Sequence, residues 1–312
     1  MDTLIAAGAK QATQTAIVSA VANLYYTMQM LDEQLRTTNE TVVLWKKNVD
    51  AMEAMQEAGL TTNAAVAQAR ANFYELQTTI PTLEHSIRQT ENALCVILNE
   101  APYPIARAAF NADAFPADFS TGVPLQLLSS RPDVKIAELQ LTSAFFNTNI
   151  ARSAFYPSLT LTGTAGWTNS AGSMVLNPAK FIANAVGSLV QPLFAQGKLR
   201  AQYKIAKIEQ ESLTLDFRNT LLSAGQEVSD ALSAYQTAIA KAEKRQLEVE
   251  QLEQALEKTL FLFSHGNTTS YLETLTAQQS LLSAKLSLIS DKYDKLQAGI
   301  SLYQALGGGR DK

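Results

Sequence analysis

Pro157-Ser158-Leu159-Thr160-Leu161-Thr162-Gly163-Thr164-Ala165-Gly166-Trp167 is a β-like stretch set between long helical patterns. It alternates with a period of two. Leu159, Leu161, Ala165 and Trp167 fall on one side, and Ser158, Thr160, Thr162 and Thr164 on the other, the spacing of a strand with two unlike faces. A second stretch, Val186 to Phe194, is placed to pair back against it across a loop rich in Gly, Ser, Asn and Pro. Two strands do not make a stable sheet by themselves. The stretch therefore implies a partner, and other copies of the chain are the expected one.

The rest of the composition is that of long helices. A chain of 312 residues could hold two ordinary domains, but Gly and Pro number only 14 and 9 and charged residues only 17%. Ala, Leu, Gln, Glu and Ser dominate instead. A net charge of −4 gives no electrostatic reason to expect nucleic acid. One Cys and two His exclude a disulfide, a zinc cage or a Cys/His catalytic pair. No nucleophile–base pair or phosphate-cradling glycine loop is visible, so the chain is not expected to be an enzyme, and no cofactor is expected. No run approaches the roughly 20 apolar residues of a membrane-spanning helix. The first residues, Met1 to Lys10, lack the basic start and apolar core of a secretory signal. Read as it stands, the chain is either cytoplasmic or lacks its true N-terminus.

Five segments follow from the periodicity. Residues 1–100 read as a helical hairpin broken at Gly59-Leu60-Thr61-Thr62-Asn63, a helix stop followed by capping residues. After the break, Phe73, Leu76, Ile80, Leu83, Ile87, Leu94 and Ile97 recur at spacings of three and four, with Thr90 as a polar interruption: a coiled-coil seam. Pro81 inside it is expected to bend the helix or remove a hydrogen bond. Residues 101–129 read as an irregular connector, and 130–156 as a helix with Ser130 as cap and Pro132 in the first turn. Residues 157–195 hold the β-hairpin. Residues 196–312 form a second helical hairpin, whose first helix would be about 100 Å long if unbroken. Gly266 breaks it, and the following helix carries Leu272, Leu275, Gln279, Leu282, Leu286, Ile289, Tyr293, Leu296, Ile300 and Tyr303 at heptad positions. The two hairpins look like copies of one unit, since Gly59 and Gly266 are each followed by paired threonines. About forty residues further on stand Ala93–Glu100 and Ser301–Gly308, in register after one inserted residue. Taken alone, such heptads also suit a structural bundle or a dimeric coiled coil.

Particular residues carry a resemblance to a known family. Leu128–Glu138 (Leu-Ser-Ser-Arg-Pro-Asp-Val-Lys-Ile-Ala-Glu), Ala151–Gly163, Gln191–Phe194 with Gly197–Arg200, Leu302–Gly309, and Ile80–Glu84 with Gln89–Leu94 resemble TolC-like outer-membrane factors. More narrowly, they resemble the outer-membrane lipoproteins of RND efflux pumps, over essentially the whole chain and in the same order. The resemblance implies a homotrimer in which each chain adds strands to one shared transmembrane β-barrel and long helical hairpins to one periplasmic α-barrel. It implies an exit duct for drugs, metals or other small molecules, passive, served by a periplasmic adaptor (membrane fusion) protein and an inner-membrane RND pump. On it, Leu159, Leu161, Ala165 and Trp167 face outer-membrane lipid, the Ser/Thr row faces the lumen, and Ser170–Asn184 is an extracellular loop. A half-buried edge hairpin in a soluble protein would show the same alternation. Family members carry two β-hairpins per chain, so this sequence is expected to be an N-terminally truncated form. A trimer of it would supply six strands, fewer than the eight of the smallest bacterial barrels.

The resemblance also assigns the two helical turns to the periplasmic tips, which form the entrance and touch the adaptor: Gly59, Leu60, Thr61 and Thr62, and Gly266, Asn267, Thr268 and Thr269. Ordinary capped hairpin turns are the competing description. Glu273 matches a position where some relatives carry an acidic ring at the gate, though the companion acidic positions are here Ala65 and Thr276. A solvated helix-face glutamate is the alternative. Cys95 reads as a small core residue, His85 and His265 as isolated with no metal role, and Glu243–Glu257 as a solvated helix face. Two other functions compete: the outer-membrane component of a type I protein secretion system, and a soluble coiled-coil scaffold. Pro81 with Gln89–Leu94 favours the drug and metal efflux branch.

Overall fold

The computed structural model describes residues 2–113, 115, 131–167, 181–192, 195–264 and 271–308. In chain order these form α1 (Asp2–Glu57), α2 (Asn63–Leu98), α3 (Pro132–Ser153), β1 (Ser158–Trp167), β2 (Phe181–Val190), α4 (Lys198–Ser264) and α5 (Tyr271–Ala305). The fold is mainly helical with one β-hairpin. The chain divides into two compact units, one of Met1–Gly8 with Asp133–Leu222 and one of Ala9–Pro132 with Ser223–Lys312.

The first unit carries the hairpin. β1 and β2 pair antiparallel over ten residue pairs, from Ser158 opposite Val190 to Trp167 opposite Phe181. The second strand thus begins five residues before the expected Val186 and ends at Val190. Phe181–Asn184, expected in the loop, belong to β2, because ten consecutive residues of β1 require ten partners; residues 168–180 of that loop lie outside the described residues. Next to the sheet, α3 starts at the expected Pro132, while Ser130 lies outside the described residues. The Thr148 hydroxyl on α3 sits 3.0 Å from the Ala144 carbonyl and 3.1 Å from that of Ala206 on α4. Phe155 meets Tyr203 edge to face, centroids 6.2 Å apart. These contacts tie α3 and the residues that follow it to the first turns of α4.

The second unit is built from helices whose apolar rows recur at heptad-like spacing. On α1, Met28, Leu31, Trp45, Val49 and Met52 are buried. On α2 the expected seam is buried or half-buried from Phe73 to Leu94, but Ile97 is exposed, because the helix ends one residue later. Pro81 does not end α2, which continues from Asn63 to Leu98; Thr78 and Thr79 beside it donate to the carbonyls of Glu75 and Leu76, each at 2.7 Å. Cys95 is fully buried as expected. One cluster joins Val49 and Met52 of α1 to Val66 and Ala69 of α2, with Phe263 of α4 packed against it. A second joins Val249 of α4 to Ala284 and Leu288 of α5. Polar contacts set the register of α1 on α5: Thr27 with the Tyr293 hydroxyl at 2.8 Å, and Gln34 donating to Ser290 at 3.2 Å.

The two chain segments that align in sequence end in the same backbone turn. At the end of α2, Asn99 has φ 57°, and the N–H groups of Asn99 and Glu100 donate to the carbonyls of Val96 and Cys95. After α5, Gly307 has φ 72°, and Gly307 and Gly308 donate to Gln304 and Tyr303. Both are Schellman stops, with the left-handed residue satisfying carbonyls that the helix leaves open. Arg131 clamps the second stop, donating to the Ala305 carbonyl at 2.8 Å and pairing with Glu227 at 2.7 Å.

Ionic ties that the sequence does not announce join the helices. Arg107 of the connector pairs with Asp32 of α1 and with Glu91 of α2, the latter at 2.6 Å. Asp291 of α5, 5% exposed, receives Lys241 at 2.9 Å and Arg245 at 3.1 Å from α4. Arg245 therefore departs from the solvated-face reading of Glu243–Glu257: it bridges two helices. Burial pushes the Asp291 carboxyl up, but hydrogen bonds from Lys241 and Arg245 outweigh it and hold the group below the usual carboxylate range. A carboxyl depressed in the folded state stabilises above its unfolded pKa of about 3.9, and that contribution disappears as pH falls through the folded value. Asp291→Asn is therefore expected to cost about 1–2 kcal/mol at pH 7 and to flatten the loss of stability below about pH 4, measured as denaturation midpoints from pH 7 to pH 2.

Candidate functional site: a helical turn and a two-faced hairpin

The α1–α2 turn is assembled from its backbone upward. Gly59 has φ 75°, a left-handed conformation that glycine takes without strain. Its N–H donates to the Gln56 carbonyl at 2.9 Å and that of Leu60 to Met55 at 2.8 Å, another Schellman stop. Thr62 then caps α2: its side chain accepts from the Ala65 N–H at 3.2 Å, with extended backbone at φ −95°, ψ 155°. Gln56 and Asn63 are hydrogen-bonded across the turn. In a Schellman stop the residue at the Leu60 position commonly packs back on the helix. Here Leu60 is 72% exposed. Gly59, Leu60, Thr61 and Thr62 thus come together as one tight turn that presents an apolar side chain outward.

The remaining predicted positions divide. Gly266, Asn267, Thr268 and Thr269 lie outside the described residues. Glu273 is exposed in the first turn of α5, where a negative charge is favoured by the helix dipole. Ala65 is half-buried and Thr276 exposed, its hydroxyl bonded to the Leu272 carbonyl at 2.8 Å. No group of three or more His, Cys, Asp or Glu residues is arranged to hold a metal among the described residues.

In the hairpin, cross-strand partners share a face. Leu159, Leu161, Gly163 and Ala165 stand opposite Leu189, Gly187, Ala185 and Ala183, and Trp167 opposite Phe181. That face is made wholly of apolar residues and glycine. Leu159 and Leu161 are 68% and 78% exposed. The opposite face sets Ser158, Thr160, Thr162 and Thr164 against Val190, Ser188, Val186 and Asn184, so the Ser/Thr row shares its surface with exposed valines. Reading β1 without its partner missed them. Aromatic residues mark both ends of the strands: exposed Phe155 and Tyr156 before β1, and the Trp167–Phe181 pair at the other end.

No helix among the described residues is long and apolar enough to cross a membrane. The ten-residue strands have the length of a membrane-spanning β-strand, about 9–11 residues. The sequence profile of the outer membrane efflux proteins matches residues 3–100 and 123–308, and the chain belongs to that family. It is 30% identical over 302 residues to the cation efflux system protein CusC of Escherichia coli, covering 96% of this chain and 65% of that protein. It is 32% identical to the pyoverdine export outer membrane protein OpmQ of Pseudomonas putida, covering 96% and 63%. A crystal structure of CusC superposes with a TM-score of 0.89 at 29% identity, covering 98% of this chain and 71% of that one. The chain thus spans a little under two thirds of the length of these two curated relatives.

The Gly59 turn makes a graded prediction. A Cβ at this position meets nothing within 4 Å, so substitution costs backbone strain alone. Gly59→Val is expected to destabilise by about 1–2 kcal/mol, and Gly59→Asn by less than half of that, since asparagine visits the left-handed region more readily. Thermal or denaturant unfolding measures both. Equal losses would refute a purely conformational role.

Proposed function

We propose that the chain is a subunit of an outer-membrane exit duct in a tripartite RND-type efflux pump, passing small molecules passively. The observation that carries this reading is the hairpin: ten-residue strands with one wholly apolar face and aromatic residues at both ends. That is the pattern of a lipid-facing barrel strand with interfacial girdles. On this reading Leu159, Leu161, Ala165 and Trp167 face lipid, joined by Ala183, Ala185 and Leu189 from β2. The outer edges of both strands pair with further strands in a homotrimer; the six strands that three such hairpins supply are part of the closed barrel, since the smallest bacterial barrels have eight. Nothing in the chain needs to supply energy; an inner-membrane pump does so, and a periplasmic adaptor links the two.

The helical tips are the gate. Gly59, Leu60, Thr61 and Thr62, with Gly266, Asn267, Thr268, Thr269 and Glu273, would face the adaptor, and its binding would favour the open arrangement of the hairpins. The outward Leu60 supports this, being an apolar side chain that the turn itself does not use. The names of CusC and OpmQ give their cargo as a cation and pyoverdine, which supports a cargo of small molecules or ions here.

Charged substitution on the apolar face tests the membrane assignment. Leu161→Arg is expected to cost about 2–4 kcal/mol if the position lies near the bilayer midplane and to remove the protein from the outer-membrane fraction, whereas Thr162→Arg, on the opposite face, should leave it there. Identical fractionation of the two variants would overturn the facing. At the tip, Leu60→Lys should reduce crosslinking to the adaptor and efflux-dependent resistance without lowering the amount of protein in the membrane. Undiminished crosslinking would remove Leu60 from the contact.

A further inference from the structure

Close to the α1–α2 turn, a cavity of about 670 Å³ opens between α1, α4 and α5. Its walls include Met52 and Met55 of α1 with Leu260, Phe261 and Phe263 of α4, and none of the described residues that line it is charged. Two polar side chains interrupt this surface. Half-buried Asn48 contributes an amide that can both donate and accept. Thr274, 3% exposed, carries a buried hydroxyl with no hydrogen-bond partner among the described residues. Buried hydroxyls are nearly always paired, and one left open calls for an explanation. Nearby Thr276 shows the ordinary solution, a bond to the carbonyl four residues back.

From this combination we infer a binding site for a small, neutral, largely aromatic molecule carrying a hydroxyl, of the phenol class. The size lies within the range of about 300–1,000 Å³ typical of ligand pockets, which are mostly apolar with a few polar groups that fix orientation. Flexible thioethers and aromatic rings suit a planar apolar body. The described lining residues carry no charge that would offset the desolvation of an ion. Asn48 accepts the ligand's hydroxyl proton, and Thr274 reaches the ligand oxygen by rotating about χ1, with no change of backbone. The described lining residues come from α1, α4 and α5, so occupancy would tie the two helical hairpins together. This site goes beyond the exit-duct reading and does not depend on it.

Photolabelling tests it on the full chain in mild detergent solution, with para-hydroxybenzophenone and, as the comparison, benzophenone. Expected is saturable labelling at Met52 or Met55, located by peptide mass spectrometry, with the hydroxylated probe half-saturating at lower concentration. Thr274→Val keeps the side-chain shape and Asn48→Leu keeps the size; each should weaken the hydroxylated probe roughly tenfold, the loss of one buried hydrogen bond, and leave benzophenone nearly unchanged. Ala51→Trp, at an exposed position on the cavity wall, should abolish labelling by both. Labelling scattered over the chain without saturation overturns the site. So does saturable labelling at these methionines that survives Ala51→Trp, and a hydroxyl preference that survives both polar substitutions overturns the assigned ligand class. Because binding is read directly, failure here leaves the channel reading untouched, and failure of the membrane fractionation test leaves this one standing.

Discussion

The constraint on which the rest depends is the unpaired outer edge of each strand. β1 and β2 satisfy one another along one side through their ten pairs, but their other edges carry N–H and C=O groups that a two-stranded sheet cannot satisfy. In lipid such groups must be paired within protein, which leaves closed barrels as the only sheets that span a membrane. The apolar face adds the second half of the demand, since Leu159, Leu161 and Leu189 are exposed, with no cover among the described residues. A hairpin of this kind is incomplete by construction. Assembly is what its chemistry calls for, and family membership agrees with that demand.

The helices tell a related story. Within the unit that carries the hairpin, Ile205, Ile208, Leu215 and Leu222 of α4 are all exposed and follow spacings of three and seven. That is a heptad row ready for a further helix. In the other unit, the helices already cover one another: α5 buries Leu288, Ile289, Leu296, Ala298 and Ile300 on several sides at once. There, charge accompanies packing, with Asp291 held between Lys241 and Arg245 and Arg107 between Asp32 and Glu91. Desolvation offsets much of the attraction within such pairs, while removal of one partner leaves the other charge uncompensated.

Much of this architecture was legible in advance because it rests on short-range rules. The two-residue alternation marked β1, the three-and-four spacing marked the seam of α2, and Gly59-Leu60-Thr61-Thr62 spelled a stop and a cap. Each signal depends on residues within one or two turns of each other. The start of β2 was misplaced for the opposite reason. Ala183, Asn184 and Ala185 carry weak strand signals of their own and are strand because β1 dictates the register. Arg245 read as solvated because its partner, Asp291, lies 46 residues away in the chain. The unpaired Thr274 hydroxyl and the cavity beside it had no sequence signature at all, since three helices distant in sequence create them.

By itself, then, the sequence determined the helical and strand periodicities, the turn chemistry at Gly59 and Thr62, the two-sided character of β1 and the resemblance to outer-membrane factors. These are properties of local sterics and of residue order along the chain. Only the tertiary structure decided which residue of β2 faces which residue of β1, where Asp291 finds its cations, how Arg131 closes the end of α5, and that an apolar cavity with an unpaired hydroxyl opens between α1, α4 and α5. Those depend on the register and spacing between separate elements, which many packings of the same local pattern would satisfy until side chains far apart in sequence select one.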